Sequence, residues 1–273
     1  MHPFLLPVQL KLDRATLRAN SLLEIPKTLG LGVVGRTELL AERKGFRLIV
    51  DDIPHFKSLD DACLDLSEYV HMLRSALDNL AFALARLKLD PPAMPGAIHF
   101  PIQETEAAFS DKRITNCLSQ MEPQAAEKIT QVQPFQRGKH PEIGADGKPS
   151  DDPLLVLQKL SNIDKHRVPA VALLGQVKQD HSHTVEFYSE DDASANVPPD
   201  TTVAVDPLRP GLVVMEYRTN CPIKSATGQW AVEARLMVSV DGGWLPFEQT
   251  VGQLVWYANL VADQFRPFFK GEV

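Results

Sequence analysis

Apolar residues follow two different periodicities along the chain, and together they predict an α+β protein. Before residue 170, apolar side chains recur mostly at three- and four-residue spacing, the period of amphipathic helices. After residue 170, short runs of β-branched residues are separated by polar or Pro/Gly segments, as in antiparallel strands. A further helical pattern covers about 247–265. The chain is therefore predicted to have a helical half, an antiparallel β-rich part and a C-terminal helix.

The strongest pattern predicts a long central helix over about 58–89. Acidic residues at its start and basic residues at its end suit the helix dipole, and Asp90-Pro91-Pro92 ends it. Its apolar stripe consists of Ala62, Leu66, Tyr69, Leu73, Leu77, Leu80, Leu84 and Leu87.

Weaker signals predict the remaining elements. A first helix is expected from Pro7 to Pro26, a hairpin over 33–51, and a helix that begins at Pro153 and has His166 and Arg167 in its last turn. We also expect short helices near 110–120 and 123–132 and strands at 170–177, 184–188, 202–205, 212–218 and 231–240. We expect a single domain over 1–273, with a mainly helical sub-part (1–169) and a β-rich sub-part (170–273).

Arg74 and Asp78 lie four residues apart on the predicted central helix, with His71 one turn before them. The surrounding residues 73–84 are apolar on nearly all sides, so this section should be covered by other elements. A charged pair in such a place needs further polar partners. A buried structural ion pair, a functional site and a surface pair all remain open.

The densest polar cluster is the segment 162–167. It contains Asn162, Asp164, Lys165, His166 and Arg167 at the end of the predicted 153–167 helix, where positive charge is favourable. His166 is the best candidate general acid or base, because imidazole exchanges protons near neutral pH. We expect this helix to pack on the central one, with Asp78 hydrogen-bonded to Lys165, His166 or Arg167.

Composition narrows the classes of partner. A net charge of −7 disfavours extensive nucleic-acid binding, although a local RNA contact stays open. The start of the chain does not fit a signal peptide, and no apolar run could span a membrane. The three cysteines are widely spaced, which indicates a reducing cytoplasm. Because no metal-ligand spacing or phosphate-binding loop occurs in context, we expect no metal and no cofactor.

A family resemblance emerges from several strings taken together. The segment 71–81, HMLRSALDNLA, resembles the "LRSALDHLA" helix of a group of uncharacterised bacterial proteins. Phe100-Pro101-Ile102, Gln133-Pro134-Phe135 and the segment 160–167, LSNIDKHR, resemble further signatures of that group, in the same order. The group is distantly similar to HEPN helical domains, many of which are metal-independent RNA nucleases or toxin components.

The resemblance implies a site but matches it only in part. HEPN domains carry an Arg followed four to six residues later by a His, contributed twice in a dimer, which makes a homodimer an open alternative. Arg74 matches the arginine, whereas Asn79 stands at the histidine position and cannot transfer protons. His166 would have to substitute for that histidine.

Two functions follow, and whether the chain is an enzyme stays open. One is a non-catalytic binding or interaction module with a buried polar network between two helices. That network would include Asp78, Asn79, Asn162, Asp164, Lys165 and Arg167. The other is a HEPN-like, metal-independent RNA-cleaving or toxin-type enzyme that uses Arg74 and His166.

Overall fold

The fold is α+β, as predicted, and it divides into two compact units. The helical unit comprises 1–24, 62–170 and 239–273, and the β unit comprises 25–61 and 171–238. This computed structural model describes residues 2–28, 33–53, 58–137, 148–165, 171–177, 182–196, 200–203, 206–229 and 232–270.

The predicted central helix is confirmed as α2, Ser58–Lys88. The final helix is confirmed as α8, Phe247–Phe265. The other helices are α1 (Leu6–Thr28), α3 (Glu106–Phe109), α4 (Lys112–Leu118), α5 (Pro123–Gln131), α6 (Pro153–Asp164) and α7 (Glu190–Ser194). Over the described ranges, no helix combines the length and the apolar character that a membrane crossing requires.

The strands form antiparallel sheets, as the alternating pattern predicts. Four strands pair in the order β1-β2-β6-β5, β4 pairs with β7, and β3 pairs with β8. Their bounds are β1 (Val34–Leu39), β2 (Gly45–Asp52), β3 (Val171–Val177), β4 (Ser182–Phe187), β5 (Asp200–Val203), β6 (Val213–Arg218), β7 (Ile223–Gln229), β8 (Val232–Val240) and β9 (Gly243–Pro246).

The core of the helical unit forms around α2, whose middle section is buried except along the face that carries Arg74, Asp78 and Phe82. Each fully buried Leu contributes about 1.5–3 kcal/mol relative to an exposed one. The one polar atom of this stripe is satisfied, because the hydroxyl of Tyr69 donates to the carbonyl of Val251 in α8 at 2.7 Å. The buried side chains of the section are Leu66, Tyr69, Val70, Leu73, Ala76, Leu77, Leu80, Ala81, Ala83, Leu84 and Ala85.

The two units group the elements differently from the sub-parts predicted on either side of residue 169. Strand β2 pairs with β6, which joins the predicted hairpin to the later strands. Helix α8 belongs with the helical unit rather than with the strands that precede it. Hydrophobic periodicity identifies elements, whereas their grouping depends on pairings between residues far apart in the chain.

Several element boundaries also differ from prediction. Helix α1 continues for two residues beyond Pro26, although a proline in the last turn lacks the N–H that would donate to the carbonyl four residues earlier. The N-cap of α4 is Asp111, whose carboxylate accepts from the N–H of Arg113, whereas Ser110 ends the unpredicted α3. Strands β7 and β9 were missed, because Ile223–Gln229 is mostly small and polar and Gly243–Pro246 has only four residues.

Candidate functional site

The helical unit contains a cleft with a volume of about 1060 Å³. One wall is α2, a second is the 99–104 segment with α3 and α4, and a third is α6. Polar side chains from all three walls converge on it: His71, Arg74, Ser75, Asp78, His99, Gln103, Glu104, Asp111, Arg113, Gln158, Lys159, Asn162 and Lys165.

Arg74 and Asp78 form an ion pair that holds the backbone of Phe100. Nη2 of Arg74 donates to Oδ1 of Asp78 at 2.9 Å and to the carbonyl of Phe100 at 2.6 Å. The N–H of Phe100 donates to the same Oδ1 at 2.9 Å. Three residues thus close one network, here called the Phe100 clamp, which fastens the 99–104 wall to α2.

The burial of the two charges is unequal. The side chain of Arg74 is 12% exposed and that of Asp78 is 38% exposed, so the pair is neither fully buried nor a surface pair. Burial lowers the pKa of Arg74, and the negative charge of Asp78 opposes that shift. A guanidinium is not deprotonated in proteins, so Arg74 keeps its charge. Its Nη1 is buried without a hydrogen-bond partner.

A serine of α2 is held by a lysine of α1. The ammonium of Lys11 contacts the hydroxyl of Ser75, which lines the cleft. An ammonium has only donors, so the hydroxyl must accept this bond. The hydrogen of Ser75 is then available for a different acceptor.

The third wall carries the second predicted cluster. Oδ1 of Asn162 accepts from Nε2 of Gln158 at 2.9 Å and lies 3.5 Å from Nζ of Lys165. Lys159 forms a 2.8 Å ion pair with Asp241. Both Asn162 and Lys165 are exposed, so their donors can reach solvent or a ligand.

The predicted packing of the two helices is confirmed, but the predicted hydrogen bond is wrong where it can be checked. Asp164 of α6 accepts from the hydroxyl of Ser67 in α2, which joins the helices. Asp78 bonds Arg74 and Phe100 rather than Lys165, because the backbone of the 99–104 wall lies next to it. The other two predicted partners, His166 and Arg167, lie outside the described residues.

The structure separates the remaining predicted site residues. Arg74, Asp78, Asn162 and Lys165 line the cleft, whereas Asn79 and Asp164 are not among the residues that form its walls. The polar network between α2 and α6 therefore contains fewer residues than predicted. At the described positions it consists of the Ser67–Asp164 contact, while the Phe100 clamp joins α2 to a loop.

His99 was not singled out from the sequence as a site residue. Its imidazole Nδ1 lies 3.1 Å from the carbonyl of Ala97. Its backbone carbonyl accepts from the thiol of Cys117 at 3.0 Å. Burial raises the pKa of Cys117, so this thiol is structural. One sequence signal could have identified His99 as a site residue, namely its position directly before Phe100-Pro101-Ile102.

Among the described residues of the helical unit, the most buried ion pair joins Arg137 to Asp152. The carboxylate of Asp152 caps α6 by accepting from the N–H of Leu154 at 2.8 Å. It also accepts from Nη1 of Arg137 at 3.1 Å and from the hydroxyl of Tyr257 at 3.2 Å. Burial raises the pKa of Asp152, and these hydrogen bonds act in the opposite direction. Sequence reasoning missed this group because its members are 15 and 105 residues apart.

Metal-ligand groups and similar proteins give no further indication of what the cleft does. Within the described ranges, no group of three or more His, Cys, Asp or Glu side chains is placed to hold a metal ion. No protein-family model matches the chain, and no curated protein or solved structure matches it significantly.

Proposed function

We propose that the helical unit is a non-catalytic binding module and that its cleft takes a small polar ligand. The observation that carries this proposal is the convergence of polar side chains from three walls on one cavity of about 1060 Å³. Small-molecule sites typically occupy about 300–1,000 Å³ and orient the ligand with a few placed polar groups. The volume suits a ligand of metabolite size together with some water.

The Phe100 clamp supports binding rather than proton transfer. Asp78 accepts two hydrogen bonds at one oxygen, and Arg74 spends both of its Nη2 donors inside the clamp. Groups engaged in this way hold a wall rigid, and a rigid wall lowers the entropy lost when a ligand binds. A general base, by contrast, is a carboxylate or imidazole that lies within hydrogen-bond reach of the proton that it removes.

A panel of small molecules tests this function by thermal unfolding. The panel contains nucleosides, nucleotides, neutral sugars, sugar phosphates, amino acids and dicarboxylates. We expect at least one member to raise the melting temperature of the wild type. Ala108→Trp should abolish that rise, because Ala108 lines the cleft and the indole would fill it.

Ala93→Trp is the matched control. Ala93 is exposed in the helical unit and does not line the cleft, so this variant should respond like the wild type. The proposal fails if no panel member stabilises the wild type, or if all three proteins respond equally.

The second candidate function is metal-independent RNA cleavage of the HEPN-like kind. One observation favours it: the cleft brings Arg74 together with two imidazoles, His71 and His99. Imidazoles could exchange the protons of a 2′-hydroxyl and a leaving oxygen, with Arg74 stabilising the phosphate charge. The clamp, which already engages Arg74 and Asp78, makes this the weaker of the two candidates.

A further inference from the structure

We infer that the ligand of the cleft carries an anionic group, a phosphate or a carboxylate, bound by hydrogen-bond donors of α2 and α6. This rests on the proposed function, because it names the chemistry of a ligand for the same cleft. The inference depends on the hydrogen-bonding groups of these two walls. Contacts within the protein leave more donors than acceptors available to a ligand.

On α2, contacts within the protein engage Oδ1 of Asp78 and the hydroxyl oxygen of Ser75, and Oδ2 of Asp78 is the remaining carboxylate acceptor. Oδ1 of Asp78 receives both Nη2 of Arg74 and the N–H of Phe100. The hydroxyl of Ser75 receives the ammonium of Lys11, which leaves its hydrogen to donate. Nη1 of Arg74 is also buried and has no hydrogen-bond partner among the described residues, so it is a further donor left over.

On α6 donors again outnumber the remaining acceptors, of which Oε1 of Gln158 is one. Oδ1 of Asn162 faces two donors, Nε2 of Gln158 and Nζ of Lys165, so its two amide hydrogens are left over. Lys165 has no carboxylate partner at any described position. A donor-rich wall recognises oxygen anions best, because hydrogen bonds between charged groups are roughly twice as strong as neutral ones.

The charges of the cleft agree with this inference. Four cationic side chains and three carboxylates line it, and one of the cations, Lys159, is paired with Asp241, so the cleft is close to neutral in a chain whose net charge is −7. Two of the carboxylates, Glu104 and Asp111, belong to the wall formed by 99–104, α3 and α4. One oxygen of Asp111 is used to cap α4. The anionic group is therefore assigned to the α2 and α6 walls.

Titration calorimetry with defined anions tests the inference. The probes are inorganic phosphate, pyrophosphate and citrate, so that phosphate and carboxylate chemistry are measured separately. We expect saturable binding of at least one probe to the wild type. Ser75→Ala should weaken it roughly 10- to 100-fold, since a hydrogen bond to a charged group contributes about 1.5–3 kcal/mol. Lys165→Gln, at an exposed position, should weaken it by about two- to fivefold.

Lys270→Gln is the control for charge alone. It makes the same change at an exposed lysine of the helical unit that does not line the cleft, and it should bind each probe like the wild type. The inference is overturned if no anion binds, or if Lys270→Gln weakens binding as much as Lys165→Gln.

The two proposals can fail separately. If neutral members of the unfolding panel stabilise the wild type but not Ala108→Trp, while no anion binds, the cleft is a binding site and the anion assignment is wrong. If neither neutral nor anionic compounds bind in the cleft, the binding function falls as well.

Discussion

The guanidinium of Arg74 donates a 2.6 Å hydrogen bond to the carbonyl of Phe100, 26 residues further along the chain. Asp78 accepts the N–H of the same Phe100, so one ion pair satisfies both polar groups of one buried residue. Buried backbone groups need partners, and no strand or helix supplies one at this position. The clamp is therefore expected to stabilise the fold as well as to shape the cleft.

Removing the acid of the clamp should have an intermediate effect on stability. We expect Asp78→Ala to lower the free energy of unfolding by about 1–3 kcal/mol, because it leaves the Phe100 N–H without an acceptor and removes the carboxylate paired with Arg74, which keeps the Phe100 carbonyl. The loss of about 3–5 kcal/mol typical of a buried pair is not expected, since the Asp78 side chain is 38% exposed. Urea unfolding measures the change.

Asp90→Ala provides the comparison on the same stretch of chain. Arg86 and Asp90 have the same i,i+4 spacing and a similar bond length, 2.8 Å, but their side chains are 33% and 43% exposed. Arg86 also lies over the ring of Phe4, a contact that Asp90→Ala leaves in place. This variant should unfold nearly like the wild type. Equal effects of the two substitutions would show that the clamp contributes nothing beyond a surface ion pair.

The stability of the fold should depend more on Asp152 than on Asp78. Its side chain is 2% exposed, and Asp152→Ala removes the cap of α6 together with an acceptor of Arg137 and of Tyr257. We expect a loss of about 3–5 kcal/mol, as for other buried pairs that lose one partner. A loss smaller than that of Asp78→Ala would contradict this ranking.

Asp152 should also make the stability of the fold depend on pH. Burial raises the pKa of Asp152 above its ordinary 3.8, so the folded state holds the proton more tightly than the unfolded state. The resulting stabilisation is complete below about pH 3.8 and is lost as the pH rises through the higher, folded-state pKa. Asp152→Asn can keep the cap but cannot titrate.

Urea unfolding over a pH series measures this effect. The free energy of unfolding of the wild type, minus that of Asp152→Asn, should fall as the pH rises from about 4. A difference that is constant with pH, or one that grows, would exclude a raised pKa.

Gly45 tests the turn between β1 and β2. It has φ +123, and a Cβ at this position would lie 2.0 Å from the carbonyl oxygen of Tyr217. Gly45→Ala should therefore cost more than the roughly 1–3 kcal/mol of backbone strain alone. Gly96→Ala, where no atom lies within 4 Å of the added Cβ, should change stability little. Similar effects at both sites would contradict the close approach of β2 to β6.

Sequence reasoning succeeded with local patterns and failed with long-range partners. Helix α2 and the α8 boundaries follow from periodicity and caps, which are properties of neighbouring residues. That Arg74 and Asp78 form a pair could be predicted from their spacing, whereas their shared partner Phe100 could not. A backbone partner leaves no trace in residue type, so nothing in the sequence marked it.

The last prediction concerns RNA cleavage, because one candidate function requires it and the other does not. We expect the purified chain to leave a panel of single-stranded RNAs intact in EDTA. His99 and His71 share the cleft with Arg74, but at the described positions neither imidazole hydrogen-bonds to a member of the Phe100 clamp. Proton transfer by a positioned side chain contributes about 10²–10⁴-fold in rate, and it requires the acid or base to lie within hydrogen-bond reach of the reacting group beside Arg74.

The opposite outcome has an equally definite signature. RNA cleavage that falls at least about 100-fold in His99→Ala, His71→Ala or His166→Ala would establish an enzyme and overturn the non-catalytic assignment. Each variant must first unfold in urea like the wild type, so that lost activity is not lost structure. Cleavage that survives all three substitutions unchanged would point to a contaminating nuclease, because the second candidate function has proton transfer by an imidazole at its centre.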